Sequence, residues 1–243
     1  MKLFSKMVAF GAILAMSLSL SASDQKDKKA SGKVWDSGSF GIFMNGKRIG
    51  TEKFNIEQRA DSSVATSEIK VQDGNFKAEQ TAEMEITPKG ELRSYSWRAT
   101  VPQKEESSVE PKEQLLVEHI IPADQKKMDV PHVLPLSTVI LDDNFFSQRE
   151  LLVWRYLRTG CIFKQNDGLL CGPSHFGILV PHQHTAGEAV MDLIGRDKIT
   201  VKGQEQEVNK IKLDTDGTTW LLWVADDYKV LKMSVNNVEI IRD

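Results

Sequence analysis

The residues most able to do chemistry are two histidines one residue apart, His182 and His184, with His175 and Cys171 a short way upstream. On a strand, alternate residues share a face, so two imidazoles at this spacing could chelate zinc or copper. Such a site would support a metal-dependent hydrolase. A catalytic metal needs a third protein ligand, and Cys171 is available only if its sulfur is free. The plainer reading is a polar loop after Pro181 that leads into Thr185-Ala186-Gly187. Two acidic pairs, Asp142-Asp143 and Asp226-Asp227, are the next candidates. Paired carboxylates do acid–base work when one pKa is raised, but helix capping and turn formation account for both pairs. There is no Gly-x-Ser-x-Gly and no glycine-rich phosphate loop, so neither nucleophilic-serine nor phosphate-cradle chemistry is indicated. Nothing calls for a cofactor.

Cys161 and Cys171 are the only cysteines, and IFKQNDGLL lies between them. Asn166-Asp167-Gly168 is a hairpin turn signal. A hairpin centred there sets the cysteines opposite each other, close enough to bond. A disulfide is therefore expected, and it removes Cys171 as a metal ligand.

The chain opens with Lys2 and Lys6, an apolar run from Met7 to Leu20, and small residues at Ser21-Ala22-Ser23. That order predicts a signal peptide over residues 1–23, cleaved near Ser23, and a periplasmic or secreted protein. Export also places the cysteines where disulfides persist. No later stretch is long and apolar enough to span a bilayer, so no transmembrane span is expected in the mature chain. Residues 24–33 (DQKDKKASGK) lack apolar side chains and are expected to be a disordered leader. The formal net charge of −3 argues against nucleic acid and anionic surfaces as partners.

The remaining residues, 34–243, predict a single mainly β domain. Phe40–Met44 meets Ile49–Ile56 across Asn45-Gly46, a strong hairpin signal. Val64–Val71, Phe76–Ile86 and Leu92–Val101 continue the alternation. This is the pattern of an antiparallel meander with one wet face. Pro102–Pro111 reads as a polar loop, Glu113–Ile121 as a strand and Met128–Pro135 as irregular. Later strands are expected at 177–181, 189–194, 199–201, 208–213, 218–224 and 230–241. Trp220 and Trp223, an odd number apart, should face opposite sides of their strand.

One short helix is expected from Ser147 to Gly160. Ser147-x-x-Glu150 fits a capping box, and Phe146 and Leu151 fit a hydrophobic staple. Leu152, Val153, Tyr156 and Leu157 form an apolar stripe, and a curved sheet wrapping the helix would cover it. Arg149 lies one turn before that stripe, so its guanidinium is expected at the rim or mouth of the sheet's hollow. There its stem would pack on apolar surface while its head reaches solvent, or the guanidinium would hold the carboxylate or phosphate of an amphiphile whose tail enters the hollow beside Leu152 and Tyr156.

Three segments, NGKRIGTEKFNI, LDDNFFSQRELLVWRYL and TTWLLWVADDYKVLKMSV with its terminal VEIIR, stand in an order that resembles a group of exported bacterial proteins of unknown function. The resemblance implies the half-barrel of the periplasmic lipoprotein carriers, a long curved antiparallel sheet around helix. It also implies an apolar or lipid-like ligand on the concave face, by analogy of fold alone. The leading expectation is thus an exported binding module. A metal-dependent hydrolase at His182 and His184 and an envelope scaffold without ligand are the alternatives. Oligomeric state is not legible.

Overall fold

The computed structural model describes residues 32–243 except 124–125, 136, 143 and 165–167. The expected signal peptide, most of the expected leader, Asp143 and the Asn166-Asp167 turn lie outside the described residues. The strands before the helix are β1 (Lys33–Met44), β2 (Lys47–Gln58), β3 (Ser63–Asp73), β4 (Phe76–Ile86), β5 (Leu92–Val101), β6 (Glu105–Lys112), β7 (Leu115–Ile121), β8 (Met128–His132) and β9 (Val139–Ile140). Helix α1 (Ser147–Gly160) follows, then β10 (Cys161–Lys164), β11 (Gly168–Cys171) and β12 (Ser174–Val180). A 3₁₀ turn at Pro181–Gln183 leads to β13 (Thr185–Val201), β14 (Gln204–Thr215), β15 (Thr218–Val224), β16 (Val230–Val235) and β17 (Val238–Arg242).

Fifteen strands form one sheet, in the order β8-β7-β6-β5-β4-β3-β2-β1-β17-β16-β15-β14-β13-β12-β9. Neighbours are antiparallel except β12 and β9, which run parallel. The first and last strands meet mid-sheet, with Phe40 opposite Arg242. The sheet is large and curved, and it is not closed into a barrel. β10 and β11 form a separate two-stranded ribbon with Cys161 opposite Cys171, and the two sulfurs are bonded.

Local chemistry explains the well-read parts. Asn45 and Gly46 both take positive φ, at 51° and 77°, as a two-residue hairpin with the sheet's own twist requires. The covered face of β2–β5 carries Phe54, Ile56, Ile69, Met84, Tyr95 and Trp97, all in one core with Leu152, Val153, Tyr156 and Leu157 of α1. Trp220 joins that core, while Trp223 on the opposite face packs with Val201, Val208 and Leu231 in a smaller one.

Several expectations need correction. Glu105–Lys112 is strand β6 rather than a polar loop, because Ser107 and Val109 turn inward while Glu106 and Glu110 turn out. Met128–His132 is strand β8: it is an edge strand, where Pro131 can sit without breaking a ladder on both sides. The segments at 189–194 and 199–201 are one strand, bent at Gly195, whose φ is 133°. Val230–Ile241 is two strands, turned at Asn236.

The capping box does not form. The helix N-terminus is buried against β2, and Glu52 of that strand takes the place of the local cap. Its carboxylate accepts from the backbone N–H of Phe146 (2.8 Å) and Ser147 (3.2 Å) and from the hydroxyls of Ser147 (2.7 Å) and Ser67 (2.8 Å). A carboxylate at this end also suits the helix dipole. Glu150 turns away instead, to the N–H of Val230 and the guanidinium of Arg242, which also holds Asp36.

Candidate functional site

Arg149 is not at the rim. It is about 1% exposed, its guanidinium carbon lies 4.0 Å from the centre of the Trp220 ring, and it donates to the carbonyls of Asp142 and Phe145. The sheet covers the first turn of α1, so a residue one turn above the stripe is already inside. Leu152 is in the core, and Tyr156 is fixed there by its hydroxyl, which donates to the Gly172 carbonyl (3.1 Å) and accepts from the Leu193 N–H (2.9 Å). Burial pushes the Tyr156 hydroxyl above its ordinary pKa. The three residues expected to hold an amphiphile are therefore near one another, inside the packed interior. The space left beside Leu151 and Leu152 is about 30 Å³, the room of a single water.

The segment entering α1 is anchored by polar groups as well. The Tyr95 hydroxyl donates to Asp142 (2.8 Å), and burial next to that carboxylate holds the phenol well above its ordinary pKa. The Gln148 side chain accepts from the Asp142 N–H. Burial likewise pushes the Glu52 carboxyl above the usual carboxylate range, against the pull of its Ser147, Ser67 and Phe146 donors.

The histidine pair has a different placement from the one its spacing suggests. The 3₁₀ turn interrupts the strand, so His182 and His184 do not share a strand face. His184 adopts φ 55°. His182 packs edge-on to Trp97 of β5, centroids 5.6 Å apart. His184 Nδ1 lies 2.8 Å from Glu118 Oε1, and His132 Nε2 lies 3.0 Å from Glu118 Oε2. The Ser107 hydroxyl donates to the same buried carboxylate at 2.8 Å. Glu118, on β7, thus gathers β6, β8 and the turn after β12, drawing opposite ends of the open sheet together. His175 is exposed and pairs with Glu188. Among the described residues no group of three His, Cys, Asp or Glu could hold a metal ion.

Sequence reasoning missed a concavity of about 630 Å³ on the far face of β2–β7, away from α1. Register makes it two rows. Lys53, Glu68, Thr81, Arg98, Glu106 and Ile121 stand opposite one another across successive strands, and beside them run Asn55, Thr66, Glu83, Ser96, Ser108 and His119. Arg98 pairs with Glu106 (3.0 Å) and Glu68 with Lys70 (2.8 Å). His119 is held by Asp129 (2.7 Å) and Glu110 (3.3 Å), and the Asp129 bond raises its pKa above that of an ordinary histidine. Each strand shows the alternation, but the hollow exists only once six strands are aligned and coiled.

No protein-family model matches the chain, and no curated protein matches it. Among solved structures it is similar to a β-barrel-like protein of domain of unknown function DUF1849 from Brucella abortus. The TM-score is 0.54 at 6% identity, covering 85% of this chain and 94% of that one. At that identity the likeness is one of fold alone.

Proposed function

We propose that this chain is an exported, non-catalytic binding module whose ligand sits in the polar hollow of β2–β7. The observation that carries this reading is the hollow itself. Its volume of about 630 Å³ lies in the range of small-ligand sites, roughly 300–1,000 Å³. Its lining of hydroxyls, an amide and charges of both signs suits a small, polar, hydroxyl-rich ligand, whose groups can be matched one by one. The apolar ligand implied by the half-barrel resemblance has less support, because α1 already packs on the apolar face of the sheet that such a ligand would need. A lipid there would require α1 to leave its Glu52, Asp142 and Arg242 anchors.

Native mass spectrometry of protein taken from its own envelope tests this, with Ser96→Trp alongside. Ser96 points into the hollow from an exposed position, so the indole should fill the site without disturbing the core. A polar adduct present in the wild type and lost in Ser96→Trp, with unchanged melting, is the expected result. An acyl-bearing adduct that survives the substitution would move the site beneath the helix. No adduct in either protein would favour the scaffold.

A further inference from the structure

The outward side of α1 carries a second set of side chains that the polar hollow does not use. Trp154 and Arg158 are four residues apart and share that side. The Trp154 ring packs on exposed Trp35 of β1, centroids 3.9 Å apart, and its indole N–H donates to the carbonyl of Tyr228, whose ring is also exposed. Past Gly160 the chain enters the β10–β11 ribbon. Ile162 and Leu170 face each other there, both at least half exposed, and Phe163 at 77% is the most exposed aromatic ring among the described residues. The Cys161–Cys171 bond closes the ribbon's base, and Leu169 packs on the main core. The ribbon therefore stands outward with apolar side chains in water on both faces, Ile162 and Leu170 on one and Phe163, beyond Leu169, on the other.

Basic groups border this surface although the chain as a whole is acidic. Arg158 is exposed one turn before the ribbon, and Lys164 is exposed at its far end. The Arg158 guanidinium donates to the Pro88 carbonyl, which brings exposed Lys89 beside it. Asp227, next to Tyr228, is matched by Lys229 at 3.0 Å.

We propose that this face docks on an anionic lipid surface, with Phe163, Ile162 and Leu170 inserting and Trp35, Trp154 and Tyr228 resting at headgroup level. Tryptophan and tyrosine favour that level, and lysine and arginine around a shallow apolar wedge add attraction to anionic headgroups. The Cys161–Cys171 bond ties the ribbon's two paired strands together at their base, so those strands need little ordering on binding. This inference is independent of any ligand in the polar hollow.

The test is co-sedimentation of the protein, as its own cells make it, with vesicles of phosphatidylglycerol and phosphatidylethanolamine and, separately, of phosphatidylcholine alone. Binding to the anionic vesicles, weakened by salt and accompanied by a blue shift of tryptophan emission, is expected. Phe163→Glu should weaken it by about tenfold or more, the loss of one buried phenyl, with an unchanged melting curve. Trp35→Ser should weaken it several-fold. The proposal is overturned by no binding to anionic vesicles, by equal binding to phosphatidylcholine, or by a Phe163→Glu variant that binds like the wild type, as it would if the expected signal segment did the anchoring. A dimer in light scattering that Phe163→Glu abolishes would also overturn it, assigning the face to a second copy of the chain.

Discussion

Glu52 and Lys53 are adjacent in β2, and the pleat sends them to opposite faces of one sheet. On the covered face, polar groups are few, buried and fully engaged: Glu52 takes the end of α1, Ser67 bonds Glu52, and Ser107 bonds Glu118. On the far face polar groups are many, lie open and are paired mostly with their neighbours. A buried polar group without a partner costs about 1–3 kcal/mol, whereas an exposed ion pair contributes about 0–1 kcal/mol. The same strands thus hold structure on one side and leave the other free to meet a ligand.

The sharpest way to break the contrast is at that adjacent pair. Glu52→Ala would leave the buried N–H groups of Phe146 and Ser147 without their acceptor, while the Ser67 and Ser147 hydroxyls, 2.7 Å apart, keep only each other. A loss of about 3–5 kcal/mol is expected, since each buried donor left without an acceptor costs about 1–3 kcal/mol. Lys53→Ala should stay within about 0.5 kcal/mol. Chemical denaturation of both variants decides it, and equal losses would mean that the two faces do not differ as argued.

Arg149→Met keeps the apolar stem and removes the bonds to the Asp142 and Phe145 carbonyls along with the stacking on Trp220. A loss of about 2–3 kcal/mol is expected, in line with hydrogen bonds from charged donors, and any adduct seen by native mass spectrometry should be unchanged. An unshifted melt with a lost adduct would restore Arg149 as a ligand residue.

These two residues also show what the sequence could and could not disclose. The Asn45-Gly46 hairpin, the alternation of β2–β5 and the span of α1 are local patterns, and each was readable within about a dozen residues. So was the pairing of Cys161 with Cys171. The cap on α1 comes from a residue 95 positions earlier, so Ser147 and Glu150 looked like a self-contained box when their partners lay on β2 and β17. His184 looked like half of a chelate because Glu118, 66 positions away, is invisible to spacing. β6 was hidden by its glutamates and serines, which read as a loop until its inward Ser107 and Val109 are seen against β5 and β7. The hollow was hidden for the same reason: no single strand contains it.

Glu118→Gln probes how the sheet's ends are drawn together. The amide keeps the shape and one acceptor but cannot accept from His132, His184 and Ser107 as the carboxylate does. A loss of about 1–2 kcal/mol is expected, with faster hydrogen exchange in β8 and around Pro181–His184. Uniformly faster exchange across β2–β5 instead would show that Glu118 supports the whole core rather than the seam.

The smallest effect belongs to the far face, at His119. Its bond to Asp129 raises the histidine pKa and holds the Asp129 pKa below its ordinary value. A group whose native pKa is raised contributes stability that is fully present below its unfolded pKa and is lost as pH rises through the native one. For Asp129 the sign is reversed, and its share disappears as pH falls through its lowered native value. The pair should therefore stabilise only in the window between those two values, and only slightly, since Asp129 is largely solvent-exposed and water screens the bond. Asp129→Asn should lower the His119 inflection in an NMR titration and narrow the stability difference from wild type to nothing above the native histidine pKa. Because His119 lines the hollow, ligand binding there should also change across the same titration. An inflection that stays put in Asp129→Asn would mean that Glu110, not Asp129, sets the charge of that corner of the site.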